Sequence, residues 1–298
     1  PILYRPFDVR HTYYTGRSRG FICMPRPEVM QHMLTGENLA LIVMRQASLD
    51  EAYTHVLATR HIVDNRTFFS SKGITTLLPL YLYPESEPPK KSKGGGYVSM
   101  LLFEPKELYG ERQPNLNSAL VDALAAVYGR VPTPEAIFHY VYAVLYAPAY
   151  RNKYAEFLKM DFPRVPFTLD AKLFKKLSAL GEKLVALHLL NSPDLNPPAC
   201  RFEGDGSNRV EKTRLRYADD EERVYINATQ YFAPVPADIW AYQIGGYQVC
   251  EKWLKDRQER RLVFDDIIAY CRIVTALDRT MALQQQIDGL YAEAEKKI

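Results

Sequence analysis

The C-terminal segment of the sequence constrains the fold more than any other segment does. Apolar residues recur there at the three- and four-residue spacing that places them on one face of a helix. The pattern therefore predicts one long helix over Asp265–Lys297. The residues that carry this spacing are Ile268, Cys271, Val274, Leu277, Met281, Leu283, Ile287 and Leu290.

Strand-like runs are found in the first third of the chain. They are mostly apolar or aromatic, as expected of partly buried strands. Pro79 has no backbone N–H to donate, so its run is expected at a sheet edge or around a bulge. The runs are Leu39–Arg45, His55–Ile62, Thr75–Tyr83 and, after a loop rich in Pro, Lys and Gly at 84–96, Val98–Phe103.

Helical spacing begins after Pro114. Ser, Thr and Asp side chains precede the apolar runs and can accept hydrogen bonds from the free N–H groups of a first helical turn. The expected helices are Asn117–Tyr128 with Ser118 as its cap, one from Thr133 to near Pro148, Tyr150–Lys159, and one from its cap Asp170 to about Leu190.

The last third of the chain mixes short elements before the long helix. The sequence predicts a hairpin of strands Val210–Tyr217 and Arg223–Asn227, a short helix at Val235–Trp240, a hinge or tight turn at Gly245–Gly246, and an amphipathic helix at Gln248–Arg257. The chain is thus expected to be α+β, with a β-containing head, a helical middle and a long C-terminal helix. The segments are 1–113, 114–246 and 247–298, which could also form one domain.

Composition places the chain among globular proteins. It has 298 residues, a hydrophobic fraction of 47% and a formal net charge of +3, which is too small to indicate a nucleic-acid partner without clustering. Four cysteines, Cys23, Cys200, Cys250 and Cys271, form no CxxC pair, so a zinc site is not expected. Few cysteines and no long apolar run favour a cytoplasmic location. A first residue other than Met suggests a piece of a longer protein.

The search for catalytic motifs yields little. Asn196-Pro197-Pro198-Ala199 resembles the loop that holds the target base in an amino-methyltransferase, but Ala199 stands where an aromatic ring should stack on that base. A Pro-rich loop is the favoured interpretation. Phosphate-binding, HExxH and GxSxG motifs are absent from the sequence, and His139 and His188 lie in helical patterns where packing is expected. We therefore expect no catalytic residue, metal or cofactor in this segment.

Basic clusters give the candidate binding residues. Three cations in the loop at 84–96 could reach phosphates, although a solvated surface loop is an equal alternative. In the predicted strand Val210–Tyr217, alternate cations would share one face, unless they pair with the acidic loop at 219–222. These candidates are Lys90, Lys91, Lys93, Arg209, Lys212, Arg214 and Arg216.

Other polar residues are weaker candidates. Arg151, Asn152 and Lys153 open a predicted helix, where cations and N–H groups suit phosphate. Asn115 and Asn117 could read adenine, but asparagine at a helix start is more often a cap. A further cluster is diluted by acidic residues and is interpreted as a solvated face; it comprises Lys252, Lys255, Arg257, Arg260 and Arg261.

Long stretches of the sequence resemble one protein family. The stretches are PFDVRHTYYTGRSRGFICMPRPEVMQHML, PNLNSALVDALAAVYG, PTPEAIFHYVYAVLYAPAYRNKYAEFLKMDFPRVPF, RVYINATQYF and YQIGGYQVCEKWLKDR. They are similar to the C-terminal part of type ISP restriction-modification enzymes, over nearly the whole chain. The resemblance implies a target-recognition fold similar to that of type I specificity subunits.

The resemblance also implies partners. The parent polypeptide would carry an upstream nuclease, an ATP-driven translocase and an adenine-N6 methyltransferase, which would use S-adenosylmethionine, ATP and Mg²⁺. Segment 1–113 would border the methyltransferase, 114–246 would recognise the target in duplex DNA, and 247–298 would be a helical spacer. Two alternatives remain open: a module that only packs on the methyltransferase, and a remnant methyltransferase that uses Asn196.

Overall fold

The computed structural model describes residues 1–17, 24–34, 37–48, 52–84 and 112–298. The predicted strand Val98–Phe103, Cys23 and the loop lysines Lys90, Lys91 and Lys93 lie outside these ranges. Among the helices within them, none is both long and apolar enough to cross a membrane.

The N-terminal region is built from small sheets. One has the order β2-β1-β5, with β5 parallel to β1, and another is antiparallel with the order β4-β3-β6. Its strands are β1 (Ile2–Arg5), β2 (Asp8–Arg10), β3 (Ala40–Met44), β4 (Val56–Thr59), β5 (Ile62–Val63), β6 (Thr75–Pro79), β7 (Tyr81–Leu82) and β8 (Gln113–Pro114), with a short helix α1 (Pro27–Met30) between β2 and β3.

The three predicted runs that fall in this region are confirmed as strands. Leu39–Arg45 contains β3, and His55–Ile62 contains β4 and the start of β5. The run Thr75–Tyr83 is divided into β6 and β7 after Pro79, and β6 is an edge strand, as the proline requires.

The helical region follows. Its helices are α2 (Ser118–Tyr128), α3 (Pro134–Tyr146), α4 (Pro148–Lys153), α5 (Ala155–Met160) and α6 (Ala171–His188). The predicted caps Thr133 and Asp170 are confirmed, because their side chains accept hydrogen bonds from first-turn N–H groups. The cap of α2 is Asn117, so the assignment of Ser118 is wrong by one residue.

One predicted helix is divided in two. The prediction of a continuous helix over Tyr150–Lys159 is wrong, because the backbone leaves helical geometry at Tyr154 between α4 and α5. Tyr150 and Leu158 are both buried. On an unbroken helix their side chains would point about 80° apart, and the break allows both to face the core.

The C-terminal region contains a four-stranded antiparallel sheet with the order β10-β11-β12-β9. Its strands are β9 (Arg201–Glu203), β10 (Arg216–Ala218), β11 (Arg223–Tyr225) and β12 (Tyr231–Ala233). They are followed by α7 (Ala237–Trp240), β13 (Gln243–Ile244), β14 (Tyr247–Gln248), α8 (Val249–Lys255) and α9 (Phe264–Glu295). The predicted long C-terminal helix is confirmed as α9.

The predicted strand Val210–Tyr217 is largely wrong. Only its last two residues, Arg216 and Tyr217, belong to β10, and the residues after Glu211 form a turn in which the Leu215 N–H donates to the Glu211 carbonyl at 2.9 Å. Val210 pairs instead with a distant segment: its N–H donates to the Arg260 carbonyl at 2.9 Å. The backbone N–H and C=O groups of Val210 are used in this pairing, so they are not available to extend strand β10 over the full predicted range.

The Gly245–Gly246 segment is a tight turn and not a hinge. Both glycines have positive φ, 62° and 75°, as a two-residue hairpin between β13 and β14 requires. The Phe69 N–H donates to the Gly245 carbonyl at 2.7 Å. A Cβ at Gly245 would overlap the Phe68 ring, so the turn joins the N-terminal and C-terminal regions by close contact.

The helices α3, α6 and α9 form a helical core. Gly181 of α6 approaches the His139 carbonyl of α3 so closely that a Cβ there would overlap the oxygen. Tyr142, His188 and Thr280 are linked by buried hydrogen bonds of 2.5 and 2.9 Å across the three helices. Buried apolar residues from all three predicted segments belong to one cluster.

Candidate DNA interface

Two loops that are far apart in sequence pair beside the four-stranded sheet. The Leu262 N–H donates to the Asn208 carbonyl at 2.8 Å, and the Glu259 N–H donates to the Val210 carbonyl at 2.7 Å. Arg209 and Arg261 form an isolated antiparallel bridge. The pairing places the loop after α8 alongside the segment that precedes β10.

Cations from both loops therefore form one surface, which we call the basic edge. All of its members are exposed. It joins the candidates from residues 209–216 to two arginines that the sequence had assigned to a solvated face. The basic edge comprises Arg209, Lys212, Arg214, Arg216, Arg260 and Arg261.

Glu259 orders one end of the basic edge. Its carboxylate accepts from the Arg209 guanidinium at 2.8 Å and from the backbone N–H of Lys212 at 3.1 Å. The hydrogen bond from the Lys212 backbone, and then the one from the Arg209 guanidinium, lower the pKa of Glu259. Within the described ranges, Lys212, Arg214, Arg260 and Arg261 have no ion-pair partner, so their charges are available to a ligand.

The outer face of the four-stranded sheet continues the basic edge with stacked arginines and tyrosines. The guanidinium carbon of Arg216 lies 4.1 Å from the centre of the Tyr225 ring, and that of Arg223 lies 4.3 Å from the Tyr231 ring. The predicted alternative, ion pairing of Lys212, Arg214 and Arg216 with the acidic loop at 219–222, is wrong, because these described residues form no ion pair with one another. Glu221 of that loop instead accepts from Arg223 at 2.6 Å. The hydrogen bonds from Tyr225 and Arg223 lower the pKa of Glu221, and the charge of Arg216 lowers it by a smaller amount.

Two buried amides hold the loop that carries Arg209. The Gln230 side chain accepts from the Asn208 N–H at 2.7 Å and donates to the Asn208 side chain at 2.7 Å. Asn227 donates to the Gln230 side chain at 2.9 Å and to the Arg209 carbonyl at 3.2 Å. Buried and mutually satisfied, these groups fix the backbone beneath the basic edge. No local sequence pattern marks these two residues, because their role depends on contacts across two strands.

The remaining candidates have structural roles or lie elsewhere. Asn117 caps α2, as the alternative interpretation predicted, whereas Asn115 is not a cap and donates to the Pro79 carbonyl at 3.0 Å. Arg151 points inward: its Nε donates to the Leu145 carbonyl at 2.6 Å. Lys153 pairs with Glu295 at 2.8 Å, and Asn152 is exposed on α4.

The residues with potential catalytic chemistry are largely engaged in packing. The Asn196–Ala199 segment is a loop after α6, where the Ala199 N–H donates to Thr275 of α9 at 2.9 Å. Cys200, Cys250 and Cys271 are buried free thiols. Burial lowers the pKa of His188 to about 3, so this histidine is neutral in the core. Across the described ranges, His, Cys, Asp and Glu form no group of three that could hold a metal ion.

The sequence model of the type ISP C-terminal specificity domain matches residues 1–286. The chain belongs to this family. The resemblance seen in the sequence is thereby confirmed. The chain matches no curated protein in sequence.

Solved structures share the fold of this specificity domain. An electron cryo-microscopy structure of a DrdV–DNA complex matches with a TM-score of 0.71 and 23% identity, over 96% of this chain and 28% of that one. The type ISP restriction-modification enzyme LlaBIII bound to DNA matches with a TM-score of 0.69 and 17% identity, over 96% and 18% of the two chains.

A third structure extends the comparison. A nuclease-deletion mutant of the type ISP enzyme LlaGI, in complex with a DNA substrate mimic, matches with a TM-score of 0.61 and 18% identity, over 96% and 24% of the chains. The predicted α+β fold with a long C-terminal helix is confirmed by these matches. The specificity domain spans between 18% and 28% of the length of the three proteins.

Proposed function

We propose that this domain recognises a target sequence in duplex DNA for a restriction-modification enzyme. The observation that carries the proposal is the basic edge, where cations from two distant loops meet on a backbone fixed by Asn227 and Gln230. Contacts to phosphates supply affinity and set the register of a protein on DNA, whereas contacts to base edges specify the sequence. A fixed loop can hold both kinds of group in one orientation.

Individual side chains suit different parts of this task. Lys212 and Arg214 occupy an exposed turn and can reach phosphates, while arginine can also bind the guanine edge through two hydrogen bonds. Arg216 is held over Tyr225, which restricts its conformations before DNA binds. The loop lysines Lys90, Lys91 and Lys93 remain proposed backbone contacts.

The catalytic steps would belong to other domains of a longer polypeptide. The domain spans less than a third of the related structures. We infer an upstream adenine-N6 methyltransferase and an ATP-dependent nuclease and translocase, which would hold the S-adenosylmethionine, ATP and Mg²⁺. The specificity domain would select the site at which they act.

Selection from randomised duplexes tests the proposal directly. The domain is incubated with a pool of random DNA, and the bound fraction is isolated and sequenced. Enrichment of one short asymmetric site is the expected result. Salt-dependent binding without enrichment of a sequence would show that the domain contacts only the DNA phosphate backbone. If the folded domain binds no DNA, it does not recognise a target independently of its neighbouring domains.

A second candidate function, packing against a neighbouring domain, is favoured by one surface. Phe157, Met160 and Phe162 expose 67%, 54% and 39% of their surface around a mainly apolar groove between α4, α5 and the following loop. Exposed apolar clusters of this kind mark interaction sites. The two functions are compatible, because the basic edge and this patch lie on different elements.

A further inference from the structure

The exposed side of α6 carries lysines at helical spacing. Lys172, Lys176 and Lys183 fall within about 40° of one another around the helix axis, and Lys175 lies about 60° to one side. All four are exposed. Glu182 lies at the edge of this stripe, on the side toward α3. Burial lowers the pKa of His139 of α3, and the charge of Glu182 offsets part of that lowering. We call the four residues the lysine face.

These lysines differ from the other lysines of the described helices. Lys153 pairs with Glu295 at 2.8 Å, Lys255 with Glu251 at 3.0 Å, and Lys159 with Glu156 at 3.6 Å. In the part of the chain that the structure describes, the lysine face makes no ion pair. Four uncompensated charges on one helix face repel each other, so a polyanion would be a favourable partner.

Neighbouring elements extend this positive surface. Arg130 lines a groove together with Lys175, and Lys296 lines another together with Lys172. The acidic residue at the second groove, Asp170, is already engaged, because it caps α6 and pairs with Lys297 at 2.7 Å. The hydrogen bond from Lys297 is the largest of the effects that lower the pKa of Asp170 to about 2.

The long helix sets the distance between the lysine face and the basic edge. α9 begins directly after the basic-edge loop and ends beside Asp170, and α6 runs antiparallel to it. Its 32 residues span about 48 Å. That length corresponds to about 14 base pairs of duplex at 3.4 Å per pair.

We propose that the lysine face binds the phosphate backbone of DNA that flanks the recognised site, up to about 14 base pairs away. This inference rests on the proposed function, since it needs a target duplex positioned at the basic edge. The contact would be independent of sequence. It would add affinity for long duplexes and leave the preference for the target unchanged.

The test compares flank-length dependence in two variants of equal charge. The first is Lys172→Gln, Lys175→Gln, Lys176→Gln and Lys183→Gln. The control is Lys153→Gln, Lys159→Gln, Lys252→Gln and Lys255→Gln, in which each lysine is ion-paired. Affinity is measured by fluorescence anisotropy for the selected target with flanks of about 5 to about 25 base pairs on either side.

The wild-type domain and the control should bind more tightly, about tenfold, once one flank exceeds about 14 base pairs, and the lysine-face variant should show no such gain. Its salt dependence on the long duplex should fall by up to about 4 in log–log slope. Equal length dependence in all three proteins would overturn the proposal and favour an acidic protein surface as the partner. If the wild type selects no target sequence, the proposed function fails, and a long random duplex still tests the lysine face through the salt slope.

Discussion

The helical core and the four-stranded sheet are stabilised in different ways. In the helical core, α3, α6 and α9 bury large side chains such as Tyr142, Ile273 and Leu277 over many turns. In the sheet, strands of three residues are supplemented by a few hydrogen bonds from Asn227 and Gln230. The comparison indicates that most of the stability comes from the core, whereas the geometry of the basic edge depends on a few buried amides.

The largest expected effect is in the helical core. Gly181→Ala places a methyl group against the His139 carbonyl and forces α3 and α6 apart. We expect a loss of about 3 kcal/mol in the free energy of unfolding, measured by urea denaturation. Gly289→Ala is the matched control, because its Cβ meets open space on α9; it should stabilise the domain by up to about 1 kcal/mol. Equal effects at both sites would contradict the close packing of α3 on α6.

The corresponding change in the sheet should affect DNA binding more than stability. Gln230→Ala leaves the Asn208 N–H without its acceptor and removes one of the two acceptors of the Asn227 amide, so it should cost about 2 kcal/mol of stability. The loop beneath Arg209 would become mobile, so we expect weaker binding to the selected duplex in the folded protein. Gln243→Ala, at an exposed position in β13, is the control. If Gln230→Ala binds the target as tightly as Gln243→Ala does, the buried amides do not determine the binding geometry of the basic edge.

Near neutral pH, a smaller effect depends on pH and is confined to the helical core. Burial lowers the pKa of His188 to about 3, below the value of about 6.5 expected in the unfolded chain. Between these values the unfolded state takes up a proton that the folded state does not, so stability falls as the pH decreases below about 6.5. The slope from this group is at most about 1.4 kcal/mol per pH unit. His188→Gln should lack it, and parallel stability curves for both proteins would contradict this assignment.

The sequence predicted the helical region well because its signals are local. The caps Thr133 and Asp170 and the spacing of α9 are contained within single elements. The break at Tyr154 does not follow from the sequence, because it depends on which side chains pack into the core.

The three lysines Lys90, Lys91 and Lys93 lie outside the described residues and remain predictions.

The candidate site was predictable only in part because it is nonlocal. The sequence predicts Lys212, Arg214 and Arg216 on one strand, yet only Arg216 lies in a strand, because a backbone pairing with residues about 50 positions later in the chain leaves Lys212 and Arg214 in a turn. The same pairing brings Arg260 and Arg261 to the site. Neither the backbone pairing nor the proximity of Arg260 and Arg261 follows from a local sequence pattern. The resemblance over long stretches, in contrast, predicted the family and its fold.

The most direct test of the central claim is the salt dependence of target binding when the basic edge loses charge. The variant Lys212→Gln, Arg214→Gln, Arg260→Gln and Arg261→Gln removes four exposed cations that make no ion pair in the described residues, so the fold should be retained. On the selected duplex its log–log salt slope should fall by about 3 to 4 relative to the wild type, with at least tenfold weaker binding. The control variant Lys153→Gln, Lys159→Gln, Lys252→Gln and Lys255→Gln should differ little from the wild type in slope and affinity. An unchanged slope and affinity would contradict a DNA interface at the basic edge.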